Sequence, residues 1–240
     1  MFERDVNYPA AVASYDDEGL SAAIDWCVGH MAEGDTLTVW TSLKSNLSNC
    51  PQLERLVTRH RNVDHITGRG GTHLRGTGPV LMAWADMDDI GELVRFAGRR
   101  IRALCVIPAY DDALRPWVSA VRPAVLGDGS AWEDPTPVLD PVVVEALTGL
   151  TGSINHNNTI SAGFEKDMVV SSLLALRDAG IPMDDAAMQG WALANGWSGE
   201  NPQRLAKYVR DINGGTRPRC RQMLREDYID RLRRRAAGTE

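Results

Sequence analysis

A chain of 240 residues has room for one large domain or two small ones, and its 43% apolar and 24% charged content is that of a packed globular protein, which excludes a disordered one. The formal net charge of −6 is spread unevenly. Residues 201–240 hold eleven Arg/Lys against five Asp/Glu, a balance of +6 that leaves −12 on the preceding 200 residues, and such asymmetry hints at a polyanionic partner for the basic end.

Apolar runs such as Pro79–Ala85 and Pro141–Val144 fall far short of the ~20 residues of a membrane helix. Acidic residues near Met1 and the lack of an apolar stretch there argue against a signal peptide, so cytoplasmic residence and no membrane partner are expected. Cys27, Cys50, Cys105 and Cys220 are too scattered for a metal or redox motif and are expected as free thiols. The five histidines form no ligand pair.

In chain order, apolar spacing predicts a helix over 20–32 stopped by Gly34, then a β-branched strand over 36–40. A helix over 51–60 and a short strand over 63–67 lead into the glycine-rich Gly68–Gly78. The runs 79–85 and 102–107 read as strands buried on both faces, with a helix over 88–98 between them. A helix over 112–121 and a short strand over 124–126 follow. This alternation predicts an α/β, Rossmann-like half with a mostly parallel, mixed sheet of four or five strands. The helix-free connection through Gly68–Gly78 makes one antiparallel pair the expected exception.

The glycines and prolines of Gly127–Pro141 mark a change of character. Residues 1–130 are expected as the α/β domain, 131–141 as linker and 142–240 as an all-helical domain. Helical patterns cover 142–150, 163–179, 184–195, 202–212 and 221–235.

Three groups of residues carry chemistry. The helices over 163–215 could form a helix-turn-helix in which Leu205, Tyr208, Val209 and Ile212 face inward. Gln203, Arg204, Lys207 and Arg210 would then face outward, with Arg217 and Arg219 extending a footprint that suits base edges and phosphates. The long turn 196–200 and Glu200 run against that reading, and a plain helical bundle is the simpler one. The loops after the first predicted strands bring Ser42 and Lys44, then Arg69, His73 and Arg75 among five glycines, chemistry suited to phosphate, although neither loop is a Walker A or dinucleotide fingerprint. Asp86 and Asp88, with Asp111, Asp112 and Asp128, follow strands and are weak candidates for Mg²⁺, against the simpler role of helix caps.

The leading expectation is a nucleic-acid-associated, regulatory protein acting through its helical half. The alternatives are an enzyme or binder of a nucleotide or other phosphorylated ligand, with Mg²⁺ as cofactor under that reading alone, and a protein-interaction module whose last basic helix docks on an acidic partner.

Overall fold

The computed structural model describes residues 8–68, 73–97, 100–110, 112–132, 137–155 and 158–239. They fall into two compact units that divide near residue 135.

The first unit is built on six strands: β1 (Ala10–Ala13), β2 (Leu37–Thr41), β3 (Val63–Thr67), β4 (Gly78–Ala85), β5 (Ile101–Pro108) and β6 (Ala124–Leu126). Between them lie α1 (Asp17–Gly29), α2 (Lys44–Ser48), α3 (Pro51–Arg59), α4 (Met87–Ala97) and α5 (Arg115–Val121). The strands form one sheet in the order β3-β2-β4-β5-β1-β6, and every recorded pair is parallel. An α/β half with a parallel sheet is therefore present, with two differences from the reading above.

The sheet has six strands because Ala10–Ala13 is one of them. Its Ala-Ala-Val-Ala sequence has little intrinsic strand preference, and it is held by pairing on both sides and complete burial of Ala11, Val12 and Ala13. The expected antiparallel pair is replaced by parallel pairing. β3 and β4 are not neighbours; both flank β2. Their connection starts at the carboxyl end, where a Cβ on Gly68 would lie 3.0 Å from the Trp40 ring, and finishes at the amino end, where Thr36 N–H donates to Thr77 C=O at 2.9 Å.

Side-chain alternation sends each strand's residues to two faces. Ala11, Val39, Leu81, Ala83 and Cys105 pack with Leu20, Ala23 and Cys27 of α1 and with Leu53 of α3. The connections through α1 and through α4 run in opposite directions along the sheet. Right-handed crossovers then place them on opposite faces, so the unit has three layers. The second face is buried too, by Trp40, Val80, Met82, Leu104 and Val106 among the strands, Ile90 and Leu93 of α4, Leu114 just before α5 and Trp117 of α5.

The second unit consists of α6 (Pro141–Ser153), α7 (Gly163–Asp178), α8 (Asp185–Ala194), α9 (Asn201–Asn213) and α10 (Tyr228–Ala236). Its core joins Leu147 and Leu150 of α6, Val170 and Leu173 of α7, Met188 of α8, Val209 and Ile212 of α9 and Leu232 of α10. Trp197 lies at its centre, fully buried, with its indole N–H donating to Thr151 Oγ1 at 2.8 Å. Buried Asn201 accepts from the Ile160 N–H at 3.1 Å and donates to Asn158 C=O at 2.8 Å, fixing the turn before α7 onto the start of α9. Among the described residues no helix is long and apolar enough to cross a membrane.

Candidate functional site

In a doubly wound parallel sheet, a crevice opens at the carboxyl edge where adjacent strands send their connections in opposite directions. Here that point lies between β2, whose chain continues to β3, and β4, whose chain continues to β5. A cleft of about 690 Å³ occupies this edge, lined by Ser42 after β2, Trp84 in β4, Ala109 after β5 and Tyr15 after β1, with Asn46 and Cys50 from the α2–α3 segment.

Trp84 sits in this cleft through a backbone irregularity. Its φ is +60°, in the left-handed region that favours glycine, and the β4–β5 register shifts between Ala83 and Ala85. In regular strand geometry consecutive side chains point to opposite faces. The bulge turns Trp84 to the same side as Ala83, where it packs against the α1–α3 core. Tyr15 and Tyr110, 60% and 62% exposed, follow the neighbouring strands β1 and β5, so three aromatic residues stand on one edge of the sheet.

The charge at this edge is negative. Asp16 caps α1, accepting from the Gly19 N–H at 2.6 Å, and Asp17 and Glu18 occupy the first helical turn. Asp16 and Asp17 both line the cleft. The positive end of the α1 dipole, where a pyrophosphate would sit in a dinucleotide site, thus already faces carboxylates of the chain itself. α1 also approaches the sheet too closely for a side chain at Gly19. A Cβ there would stand 2.2 Å from Ser14 C=O, and one on Gly127, whose φ is +72°, 2.3 Å from Ser14 Oγ.

The phosphate-type residues predicted from the loops are not brought together. Ser42 lines the cleft and Lys44 opens α2 at the same edge. His73 and Arg75 lie toward the amino edge. The His73 ring is 5.9 Å from the Phe96 ring near the end of α4, and Arg75 Nε is 3.3 Å from Asp64 Oδ2. The length of the five-residue β2 separates the two edges, roughly 16 Å at ~3.3 Å per residue. Arg69 lies outside the described residues.

Near Lys44, the Thr41 hydroxyl donates to Leu43 C=O at 2.9 Å and contacts His65 Nε2 at 2.8 Å. The hydroxyl has one proton, so His65 Nε2 is the donor of that second bond. Partial burial, and then the Lys44 charge, lower the His65 pKa, while Asp64 opposes them.

Among the described residues no three His, Cys, Asp or Glu side chains are grouped to hold a metal ion. Asp86 accepts from the N–H groups of Asp88 and Asp89 at 2.8 and 3.0 Å and so caps α4, a role the sequence reading had given to Asp88. Asp112 pairs with Arg115 at 3.0 Å, and Asp128 accepts from Ser130 N–H and Oγ–H, both at 2.9 Å. Asp111 lies outside the described residues.

In the helical unit, Gln203, Lys207 and Arg210 are exposed along α9, and Arg204 is half-buried. The cations are answered by acids. Arg204 meets Glu200 at 2.6 Å, Lys207 meets Asp211 at 2.6 Å, Arg210 meets Asp185 at 2.7 Å, and Arg217 meets Asp178 at 2.8 Å. Arg219 lines a shallow cavity beside Asp178 and Cys220. Residues 136–240 carry thirteen acidic and thirteen basic side chains, so the basic end is balanced within its own unit.

The chain thus combines a doubly wound, parallel α/β unit bearing an edge cleft with a five-helix unit. Residues 139–233, from just before α6 into α10, match the model of a family described as a domain of unknown function, DUF1889. No curated protein and no solved structure matches the chain.

The sequence reading gave no site role to Tyr15, Trp84, Tyr110 or Cys50. One signal was legible: an aromatic residue falls at or just beyond the end of three strand-like runs, in Ser14-Tyr15, Ala83-Trp84 and Ala109-Tyr110.

Proposed function

We propose that the α/β unit binds a small ring-bearing ligand without strong negative charge, of the nucleoside or glycoside kind, in the carboxyl-edge cleft. The observation that carries this reading is Trp84, whose left-handed backbone and strand bulge turn an indole to the cleft side at the switch point. Left-handed, non-glycine backbone costs of order 1–3 kcal/mol, and such strain concentrates at ligand sites. Ring faces stack on indole and phenol, and the Ser42 hydroxyl with the Asn46 and Asn49 amides offers both donors and acceptors to hydroxyl and amino groups. Asp16 and Asp17 disfavour phosphate and favour amino or hydroxyl donors. This reading favours the dephosphorylated counterpart of the phosphorylated ligand expected from the loops.

Cys50, a free thiol on the cleft wall, reports occupancy. A panel of nucleosides and glycosides, each beside its phosphate ester, is screened by melting temperature and by the rate of Cys50 alkylation with iodoacetamide. The half-buried Cys220 serves as internal reference. A binder is expected to raise the melting temperature and slow Cys50 alone, and its phosphate ester is expected to do less. Trp84→Ala is expected to abolish both effects. Esters that bind more tightly than their parent compounds, or no protection across the panel, overturn the reading.

A second reading, nucleic-acid contact by the helical unit, is favoured by the outward row on α9. The ion pairs and the balanced charge of that unit give it less support than the cleft has.

A further inference from the structure

We infer that the helical unit holds a second site, for a medium-chain aliphatic carboxylate, between α6 and α10. A cavity of about 240 Å³ lies there, with Leu150, Met168 and Leu232 among its apolar lining and Arg225, Arg231 and Arg235 among its polar lining. No acidic side chain lines it. On α10, Asp230 is 3.5 Å from Arg233, which does not line the cavity.

The like charges of Arg225 and Arg231 on one small cavity repel each other, and an anion placed between them removes that repulsion. Arg231 and Arg235 are one helical turn apart and share a face. A guanidinium meets a carboxylate through two parallel hydrogen bonds, which a phosphate-free, planar head group satisfies. The Tyr228 hydroxyl is bonded to Ser172 Oγ, so what Tyr228 offers the cavity is its ring.

Size decides between occupants. The volume lies below the usual range of about 300–1,000 Å³ for ligand pockets, which suits one alkyl chain and is too small to seat a partner helix. Met168 and Met223, both on the cavity wall, are unbranched and adapt to chains of different length. The site lies in the segment that matches the family model, apart from Arg235. It is independent of the cleft in the α/β unit.

The test uses the full chain and octanoate below its micelle concentration, with isothermal titration calorimetry. Octanol and octyltrimethylammonium are the controls. One saturable octanoate site is expected, with both controls at least tenfold weaker. Arg225→Ala/Arg231→Ala is expected to weaken octanoate at least tenfold, and Arg231→Lys by less.

A Cβ on Gly149, which lines the cavity, would meet nothing within 4 Å, so a larger side chain can be added there without disturbing the backbone. Gly149→Phe is expected to fill the cavity and abolish binding, while Gly149→Ala preserves it. Melting temperatures establish that each variant is folded, and Gly149→Met replaces the phenylalanine variant if that one is not. Absence of a saturable octanoate site, equal affinity for octanol, or undiminished binding in the folded cavity-filled variant overturns the inference. So does an acidic peptide that binds this face when octanoate does not.

Discussion

The Asp16 carboxylate accepts a hydrogen bond from the Gly19 N–H at 2.6 Å, closing the first turn of α1 at the edge where the cleft opens. One side chain thus satisfies an orphan helix donor and sets the sign of charge at the site. Asp16→Ala is expected to lower stability by about 1 kcal/mol, as loss of an N-cap does. Asp16→Asn keeps an accepting oxygen and removes the charge. It is expected to cost less in stability and to narrow the preference for an unphosphorylated ligand over its phosphate ester. Urea unfolding of both variants, with ligand titrations of the second, checks the two parts separately. An unchanged preference in Asp16→Asn would leave Asp17 and Glu18 as the source of the discrimination.

The approach of α1 to the sheet gives a second prediction, which turns on the kind of atom each glycine faces. A methyl group on Gly19 would collide with the backbone oxygen of Ser14 at 2.2 Å as well as with its hydroxyl at 2.4 Å, whereas one on Gly127 would collide with the Ser14 hydroxyl at 2.3 Å and press on the Gly19 backbone only at 3.1 Å. Backbone cannot step aside, but a side chain can be deleted. Gly19→Ala is therefore expected to destabilise strongly whatever stands at position 14. Gly127→Ala is expected to be partly rescued by Ser14→Gly, with the residual loss set by its φ of +72° and by the Gly19 Cα at 3.1 Å. The Ser14 change carries its own cost, because its hydroxyl also accepts from the Asp128 N–H at 3.2 Å. A double-mutant cycle on unfolding free energies measures the difference. Equal coupling at both positions would contradict this account.

How much of this was legible in the sequence follows from what each element depends on. β4 and, beyond Arg102, β5 announced themselves as apolar runs, because a strand covered on both faces has no polar alternation to show. β1 did not, since four small residues become a strand only between β5 and β6. Nor did α2, whose five residues bury none of their side chains. The glycine-rich connection was visible but its route was not, so Ser42 and His73 were grouped because both loops follow predicted strands, although opposite edges of the sheet hold them. Trp84 was read as one more residue of a buried run. Its role depends on a bulge, a property of pairing that a single strand's sequence does not carry. On α9 the exposure of Gln203, Lys207 and Arg210 followed from periodicity, while the half-burial of Arg204 and the ion pair of Arg210 with Asp185 on another helix required the tertiary structure.

Two buried or half-buried carboxylates predict opposite limbs of the stability–pH curve. Desolvation, with the neighbouring Asp86 and Asp88 charges adding to it, raises the pKa of Asp89 to about 6, against a hydrogen bond from the Asp86 N–H that opposes the shift. Between its ordinary value of about 4 and this raised value, the native state holds a proton that the unfolded chain lacks. Its contribution is therefore present below about pH 4 and lost as pH rises through 6. Asp35 is shifted the other way. Arg102 donates to both of its oxygens, at 2.5 and 3.1 Å, and the Ala32 N–H adds a third bond at 2.8 Å. That contribution is present above about pH 4 and lost as pH falls through the lowered native value. Unfolding free energies from pH 3 to 7 are expected to show Asp89→Asn flattening the limb between 4 and 6. Asp35→Asn is expected to flatten the acid limb and to cost about 1–3 kcal/mol at neutral pH, the size of a hydrogen bond to a buried charge. Superimposable profiles for wild type and either variant would remove that group from the explanation.

The α9 cations allow a direct measurement of the nucleic-acid reading. A protein that neutralises several phosphates loses affinity steeply with salt, at a slope close to −0.9 per phosphate on duplex DNA. Arg204, Lys207 and Arg210 each have an acid within 2.7 Å, so a phosphate approaching this face would first have to displace Glu200, Asp211 or Asp185 and then lie beside them. Anisotropy titrations of labelled duplex and single-stranded oligonucleotides are expected to give weak binding with a shallow slope. Arg204→Ala/Lys207→Ala/Arg210→Ala is expected to change neither by much. Each of these exposed pairs is worth roughly 0–1 kcal/mol, so the triple variant stays folded and remains a fair comparison. A steep slope that the triple variant abolishes would mean that the carboxylates yield to phosphate, and it would put the helical unit's function on α9.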